Sequence, residues 1–232
     1  MRPVDGAADS FPSIGYRWIK AHAYSALFTA VVGFLIYALR RVLAIGDPDT
    51  SAIVVGFSVA AGSILLASTA AIYAVLTGWV LARQLGTFPM RAWLLLHGFI
   101  GLAAGILASL GEVGAMEVQA ELDTETMLGT VLTTMVLGVL AGAAIGSVQA
   151  LLLRRAARSV RLWIGYSALG GAVLGLSLLI GFALPLRGVG GVFGSEIAGA
   201  LATLLMGLIL LPAVRRLEPR APESAAAAPP PP

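Results

Sequence analysis

The sequence predicts an all-α, polytopic membrane protein built as a bundle of six membrane-spanning helices. Apolar residues make up 58% of the chain and charged residues only 12%, whereas soluble domains average about 45–50% and about 25%. Six apolar runs approach or exceed the roughly 20 residues that cross a bilayer as a helix. A chain of 232 residues cannot hide so much apolar surface in a water-soluble core, so the excess is expected to face lipid or neighbouring helices.

The first predicted span covers residues 21–39, and residues 1–20 before it form a cytoplasmic segment. Ser13 in that segment is expected to cap the start of the helix, because a Ser hydroxyl can accept from a free backbone N–H. A cleaved signal peptide is the competing interpretation. The apolar run is too long for an ordinary signal core and ends in Arg40 and Arg41 without a small-residue cleavage site, which favours an uncleaved span.

The second apolar run, residues 52–82, is longer than a bilayer requires. As a helix it would extend about 46 Å at about 1.5 Å per residue, against a hydrocarbon core of about 30 Å. It must therefore tilt or protrude. Two re-entrant pieces are the alternative, but no Pro interrupts the run, which favours one helix.

The other predicted spans cover residues 93–110, 129–153, 162–184 and 197–211. An acidic outer loop at residues 112–125 follows the third span, and a basic link at residues 154–161 joins the fourth to the fifth. Pro212 and the pair Arg215 and Arg216 are expected to end the sixth span. Residues 212–232 close in a run of Ala and Pro and are predicted to be a disordered cytoplasmic tail.

Basic residues assign an orientation to these spans. If both termini are cytoplasmic, twelve of the fifteen basic residues fall on inner segments and three on outer segments. The inner set is Arg2, Arg17, Lys20, Arg83, Arg91, Arg154, Arg155, Arg158, Arg161, Arg215, Arg216 and Arg220, and the outer set is Arg40, Arg41 and Arg187. Cytoplasmic loops are enriched in Lys and Arg, so this count favours both termini inside. The preference for Arg over Lys, with abundant Ala and Gly, is typical of a high-GC bacterial genome. The predicted location is therefore the inner (plasma) membrane of a bacterium.

Four Trp residues lie near the predicted inner ends, and they are expected to form an interfacial aromatic belt. They are Trp18, Trp79, Trp93 and Trp163.

Three of these Trp residues also suggest an internal repeat. Trp18, Trp93 and Trp163 each follow an Arg closely at the start of a span, and His22, His97 and Ser167 come four residues later. Together with matching Gly positions, this spacing predicts three helical hairpins in parallel orientation. The alternative is coincidence, because Gly is frequent here and because Arg and Trp are common at the inner ends of membrane helices.

Glycine spacing predicts close helix packing. Seven glycines recur every four residues within three of the spans: Gly101, Gly105, Gly138, Gly142, Gly146, Gly171 and Gly175. Small faces of this kind let helix backbones approach closely in lipid. They indicate either packing inside the bundle or an interface with a membrane-protein partner or a second copy of the chain.

Five polar residues are predicted to lie in the inner third of the bundle: Gln149, His97, His22, Thr77 and Ser167. They are candidates for one hydrogen-bonded layer, since an unpaired polar group in hydrocarbon costs several kcal/mol. Alternatively, each side chain reaches the headgroup region separately. Glu196, next to the predicted sixth span, is an outer ionisable candidate. The alternative for Glu196 is a favourable position at a helix N-terminus, with Ser195 as the cap.

Several classes of chemistry lack a motif in this sequence. There is no Cys and there are only two His, which predicts neither a metal cluster of the usual spacing nor thiol chemistry. There is no phosphate-binding Gly-rich loop, and the small basic surplus lies in helix-flanking links, so neither a cofactor nor a nucleic-acid partner is expected.

These features predict a non-catalytic protein that lies in contact with the lipid bilayer. A small-solute transporter or the membrane subunit of one is the first hypothesis. An assembly subunit that packs against other membrane proteins through its Gly faces is the second.

Overall fold

The computed structural model of the protein describes residues 13–42, 52–117, 124–183 and 189–219. These residues form six helices: α1 (Ile14–Val42), α2 (Ala52–Leu85), α3 (Met90–Glu117), α4 (Thr124–Leu153), α5 (Arg161–Ala183) and α6 (Val189–Arg215). Within the same ranges, the only β pairing is an isolated bridge between Ala157 and Pro219. The all-α prediction is therefore confirmed.

Local interactions explain where α1 begins and where α2 ends. Tyr16 donates its backbone N–H to the Ser13 hydroxyl over 3.4 Å, which confirms Ser13 as the cap of α1. The helix α2 is a single element of 34 residues, about 51 Å long at about 1.5 Å per residue, as expected for a run without Pro. It ends at Gly86, whose φ of 70° suits a residue without a side chain.

Several helix boundaries differ from the prediction. The helix α3 continues to Glu117 and α4 starts at Thr124, so Glu112, Glu117 and Glu125 belong to helices and not to an acidic loop. Helix extension is favourable there because Glu, Ala and Met are good helix formers. The rest of that loop, at residues 118–123, lies outside the described residues, as does the part of the predicted tail at residues 220–232.

The sixth helix continues through Pro212 and ends at Arg215, so the expected end at Arg215 and Arg216 is confirmed, whereas Pro212 does not stop the helix. A Pro one turn from a helix end removes only one intrahelical hydrogen bond. The chain then turns back, and Leu217 is buried. Gln84 donates to the Leu217 carbonyl over 3.0 Å, and the Arg158 N–H donates to the Glu218 carbonyl over 3.1 Å. This C-terminal strap, residues 216–219, is therefore packed, although it falls within the predicted tail.

Four described segments are long and apolar enough to cross a bilayer: Ile14–Ile36, Val59–Leu85, Leu132–Leu153 and Ile197–Arg215. A shorter apolar helix covers Met90–Ile106. The surfaces of these segments carry many large exposed apolar side chains, among them Leu27, Ile64 and Leu140. Four such helices in the described ranges are compatible with a membrane protein by their length and composition.

The helices follow one another around a ring, in which α6 returns to pack on α1. The most extensive pairings join α2 to α3 and α4 to α5, whereas α3 meets α4 at few places. The main apolar core lies at the end of the bundle where α1, α3 and α5 begin and α2, α4 and α6 end. That end, predicted to face the cytoplasm, is called the inner end below.

Three of the four Trp residues are at the centre of this core. Trp18, Trp93 and Trp163 are buried, and only Trp79 is substantially exposed. The prediction of an aromatic belt is therefore wrong for the three buried residues, because a ring enclosed by protein cannot contact lipid headgroups. Trp79 alone has the exposure that such a belt requires.

Candidate functional site

Three Trp rings form the floor of the candidate site. The Trp163 ring lies edge-on to Trp18, with 6.0 Å between centroids, and edge-on to Trp93, with 6.1 Å. Edge-to-face contacts suit aromatic quadrupoles. Each Trp lies in the first turns of α1, α3 or α5, so the residue four positions later shares its helix face, one turn further into the bundle.

Each buried indole N–H donates to an even-numbered helix. Trp18 donates to the Gly207 carbonyl on α6 over 2.9 Å, and Trp163 donates to Oε1 of Gln149 on α4 over 2.8 Å. The Trp93 N–H reaches the Thr77 hydroxyl on α2 over a longer 3.4 Å. A buried N–H is costly without an acceptor, so these bonds determine which helix lies beside each Trp.

Above the floor, His97 and Gln149 join α3 to α4. The Nδ1 atom of His97 lies 2.8 Å from the Trp93 carbonyl. A carbonyl only accepts, so Nδ1 carries the proton and Nε2 is the acceptor. The amide nitrogen of Gln149 donates to that Nε2 over 3.0 Å, and the amide oxygen accepts from Trp163. One chain of hydrogen bonds thus crosses α5, α4 and α3.

His22 and Tyr73 form the matching pair on α1 and α2. The same argument places the proton of His22 on Nδ1, which lies 3.0 Å from the Trp18 carbonyl. The Tyr73 hydroxyl then donates to His22 Nε2 over 3.2 Å. The Tyr73 ring lies between the two imidazoles, 5.2 Å from the His22 centroid and 5.5 Å from that of His97.

Sequence reasoning missed Tyr73. The available signal was a phenol in the middle of the apolar α2 run, one helical turn before Thr77. Thr77 itself donates to the Tyr73 carbonyl over 2.7 Å. The spacing of four residues marked the Trp and His that share a helix, but no spacing indicated which helices meet, because the members come from five different helices.

Ser167 is the fifth predicted polar residue and behaves differently from the others. It is 9% exposed, and its buried hydroxyl oxygen has no hydrogen-bond partner among the described residues. A Cβ added to Gly146 would lie 2.5 Å from the Ser167 Cβ, so Ser167 packs closely on α4. The structure therefore links His22, Thr77, His97 and Gln149 to aromatic partners, whereas Ser167 is placed only by its packing on α4.

All seven predicted packing glycines lie against helices of the same chain. A Cβ at Gly101 would be 2.5 Å from the Ala70 Cβ, and one at Gly105 would be 2.6 Å from the Ser63 Cα. The other five bring α4 and α5 together, with Gly138 and Gly142 against Gly171, Gly175 against Thr134, and Gly146 against Ser167. Close backbone approach is what small residues allow in membrane helices.

Glu196 is placed differently from the prediction. The helix α6 starts at Val189, seven residues before Glu196. Ser195 is therefore not a helix cap, and Glu196 lies beyond the first turn, where the N-terminal dipole has little effect.

Within the described polar layer, the groups are imidazoles, a phenol, an amide and hydroxyls, and none is acidic. No group of three or more His, Cys, Asp or Glu in the described ranges is placed to hold a metal ion. The layer presents neutral donors and acceptors, which suits hydrogen bonding to a small polar molecule better than binding of a strongly charged one.

Comparisons with protein-family models, with curated proteins and with solved structures found no match for this chain.

Proposed function

We propose that the protein is a non-catalytic, multi-pass protein of the bacterial inner membrane that handles a small polar solute, as a transporter or as the membrane subunit of one. All six helices are assigned as spans. The helices α3 and α5 contain 28 and 23 residues, about 42 Å and about 35 Å at about 1.5 Å per residue, which exceeds a hydrocarbon core of about 30 Å. The excess of basic residues on inner segments supports cytoplasmic termini.

The observation that carries this proposal is the polar layer. Side chains from α1 to α5 converge at one depth, and the chain from Trp163 through Gln149 to His97 lies beside the His22–Tyr73 pair. Polar and ionisable groups are expensive inside a membrane and usually mark a pathway or a binding site there. Five helices contribute to the layer, so movement of any one of them would change its hydrogen bonding.

The same proposal includes three repeated helix pairs, but the helices pair differently from the three predicted hairpins. Each unit is an even-numbered helix with the odd-numbered helix that donates an indole N–H to it: α2 with α3, α4 with α5, and α6 with α1. Gly146 faces Ser167 and Gly207 faces His22, which gives the second and third units the same contact four residues after the Trp. The third unit therefore joins the last helix, α6, to the first helix, α1. The predicted hairpins, in contrast, pair helices that follow each other in the chain.

The second hypothesis, an assembly subunit that binds partners through its Gly faces, has less support. Those glycines pack against helices of their own chain, so a membrane-protein partner or a second copy would need another surface. The two hypotheses differ in what accompanies the protein on purification.

The first test is mass spectrometry of everything that co-purifies with the protein in a mild detergent. A retained small polar molecule supports solute handling, and Tyr73→Phe and Gln149→Ala should reduce its retention. Ser147→Ala is the matched control, because the Ser147 hydroxyl bonds only to the Ala143 carbonyl of its own helix. A stoichiometric protein partner with no small molecule would replace this proposal with the assembly hypothesis.

A second test measures solute entry directly. Proteoliposomes are mixed rapidly with urea, glycerol or methylammonium, and swelling is followed by light scattering. Swelling faster than in empty liposomes, slowed by Tyr73→Phe but not by Ser147→Ala, is the expected result for at least one probe. Equal swelling for the wild type and Tyr73→Phe with every probe would remove the polar layer from the proposed pathway.

A further inference from the structure

An Arg and a Trp stack against each other on the exposed surface of α2, near the inner end of the bundle. The Arg83 guanidinium carbon lies 4.1 Å from the centroid of the Trp79 ring. Trp79 is 48% exposed, and Arg83 is also exposed. Neither residue belongs to the polar layer. The pair is therefore available to a ligand from the surroundings of the protein.

The pair lies within a strongly basic rim. Exposed basic side chains surround the inner end of the bundle: Lys20, Arg83, Arg91, Arg154, Arg155, Arg158, Arg161, Arg215 and Arg216. They come from the inner ends of α1, α2, α3, α5 and α6, from the link between α4 and α5, and from the C-terminal strap. Glu218 is the one acidic residue in the described part of this rim. A surface with this charge attracts anions at the depth where a membrane has its headgroups.

Stacking prepares the Arg83 side chain for one kind of anion. A guanidinium held flat on an indole has lost part of its rotational freedom, but its N–H edges remain free in the plane. Two parallel N–H groups match two oxygens of a phosphate, which is the bidentate geometry that Lys cannot provide. The half-exposed indole suits the boundary between headgroups and acyl chains.

We propose that Trp79 and Arg83 form a binding site for an anionic phospholipid, with the guanidinium on the phosphodiester and the indole beside the upper acyl chain. A lipid such as phosphatidylglycerol, which has a phosphodiester and no headgroup cation, fits this rim. The ammonium of a zwitterionic lipid would lie among the basic side chains and be repelled. This site is separate from the polar layer and does not depend on solute handling.

Native mass spectrometry of the full chain, titrated with phosphatidylglycerol and separately with phosphatidylcholine, tests the site. Arg83→Lys keeps the charge and removes the planar fork, and Trp79→Leu leaves the charge unchanged and removes the stack. Arg155→Lys is the matched control on the same rim. Arg83→Lys and Trp79→Leu should each weaken phosphatidylglycerol binding about fivefold, the equivalent of about 1 kcal/mol per headgroup contact, while Arg155→Lys stays near the wild type.

Two outcomes would overturn the proposal. If Arg83→Lys binds phosphatidylglycerol as tightly as the wild type, the rim attracts lipid through its charge alone. Equal binding of phosphatidylcholine and phosphatidylglycerol by the wild type would show that the lipid charge is not recognised. Gel filtration and far-UV circular dichroism of each variant establish that it is folded before its binding is compared.

Discussion

Replacement of Gln149 by Leu tests whether the hydrogen bonds between α3, α4 and α5 stabilise the inner end. The substitution keeps a similar side-chain volume, so it creates no large cavity, but it removes the acceptor of Trp163 and the donor to His97. Both partners are buried, at 1% and 5% exposed. Each buried polar group left unpaired costs about 1–3 kcal/mol.

Lipid reduces this penalty, because the unfolded state in a membrane also finds partners. Single interhelical hydrogen bonds measured in membranes average about 0.6 kcal/mol and reach about 1.7 kcal/mol. Gln149 makes two such bonds and leaves two orphaned groups. We therefore expect Gln149→Leu to lower the free energy of unfolding by about 2–3 kcal/mol.

The assay is unfolding in mixed micelles of rising dodecyl sulfate content, followed by far-UV circular dichroism. A double-mutant cycle with Trp163→Phe isolates the pair, since Phe keeps the aromatic packing and lacks the N–H. Coupling of about 1 kcal/mol or more is expected between the two changes. Ser147→Ala, whose hydroxyl bonds within α4, should shift stability by less than about 0.5 kcal/mol. Additive effects of Gln149→Leu and Trp163→Phe would refute the hydrogen-bond reasoning.

Three further changes probe other contacts by the same assay. Gly171→Ala should destabilise the protein by about 1–3 kcal/mol, because its new methyl group meets the Gly138 backbone. The control is Gly165→Ala on the same helix, which has open space around it and should be neutral or stabilising by up to about 1 kcal/mol. Equal effects of the two substitutions would contradict the packing assignment. Tyr73→Phe should cost about 1 kcal/mol, because His22 loses its donor. Leu217→Ala should cost about 2–5 kcal/mol because the side chain is buried, and a negligible loss would mean that the C-terminal strap contributes little to stability.

Much of the fold follows from the sequence because the bilayer imposes a length and a solvent. A run such as residues 52–82 has to be a helix, since only a helix satisfies its backbone in lipid without a partner. The glycine spacing marks the faces where backbones approach, and in the structure Gly101 and Gly171 lie on such faces. Ser13 was predictable as a cap because capping is a local interaction.

The ends of the apolar runs predicted the ends of the helices poorly. The hydrophobic run of the third span stops near Leu110, but α3 continues to Glu117, and α6 begins at Val189 rather than beside Glu196. A helix is not obliged to end where its lipid-facing segment ends. Its backbone hydrogen bonds continue as long as the residues favour them.

The sequence by itself determined that this chain forms long apolar helices, where their apolar stretches lie and which faces carry polar or small residues, because each of these is a property of a single helix. Only the tertiary structure decided that Trp18, Trp93 and Trp163 lie inside the protein, and that Tyr73 and Gln149 supply the partners of the two His residues. Those facts depend on which helices are neighbours and how each is rotated. That choice is made by packing and by buried hydrogen bonds between residues as much as 189 positions apart, and no local pattern encodes it.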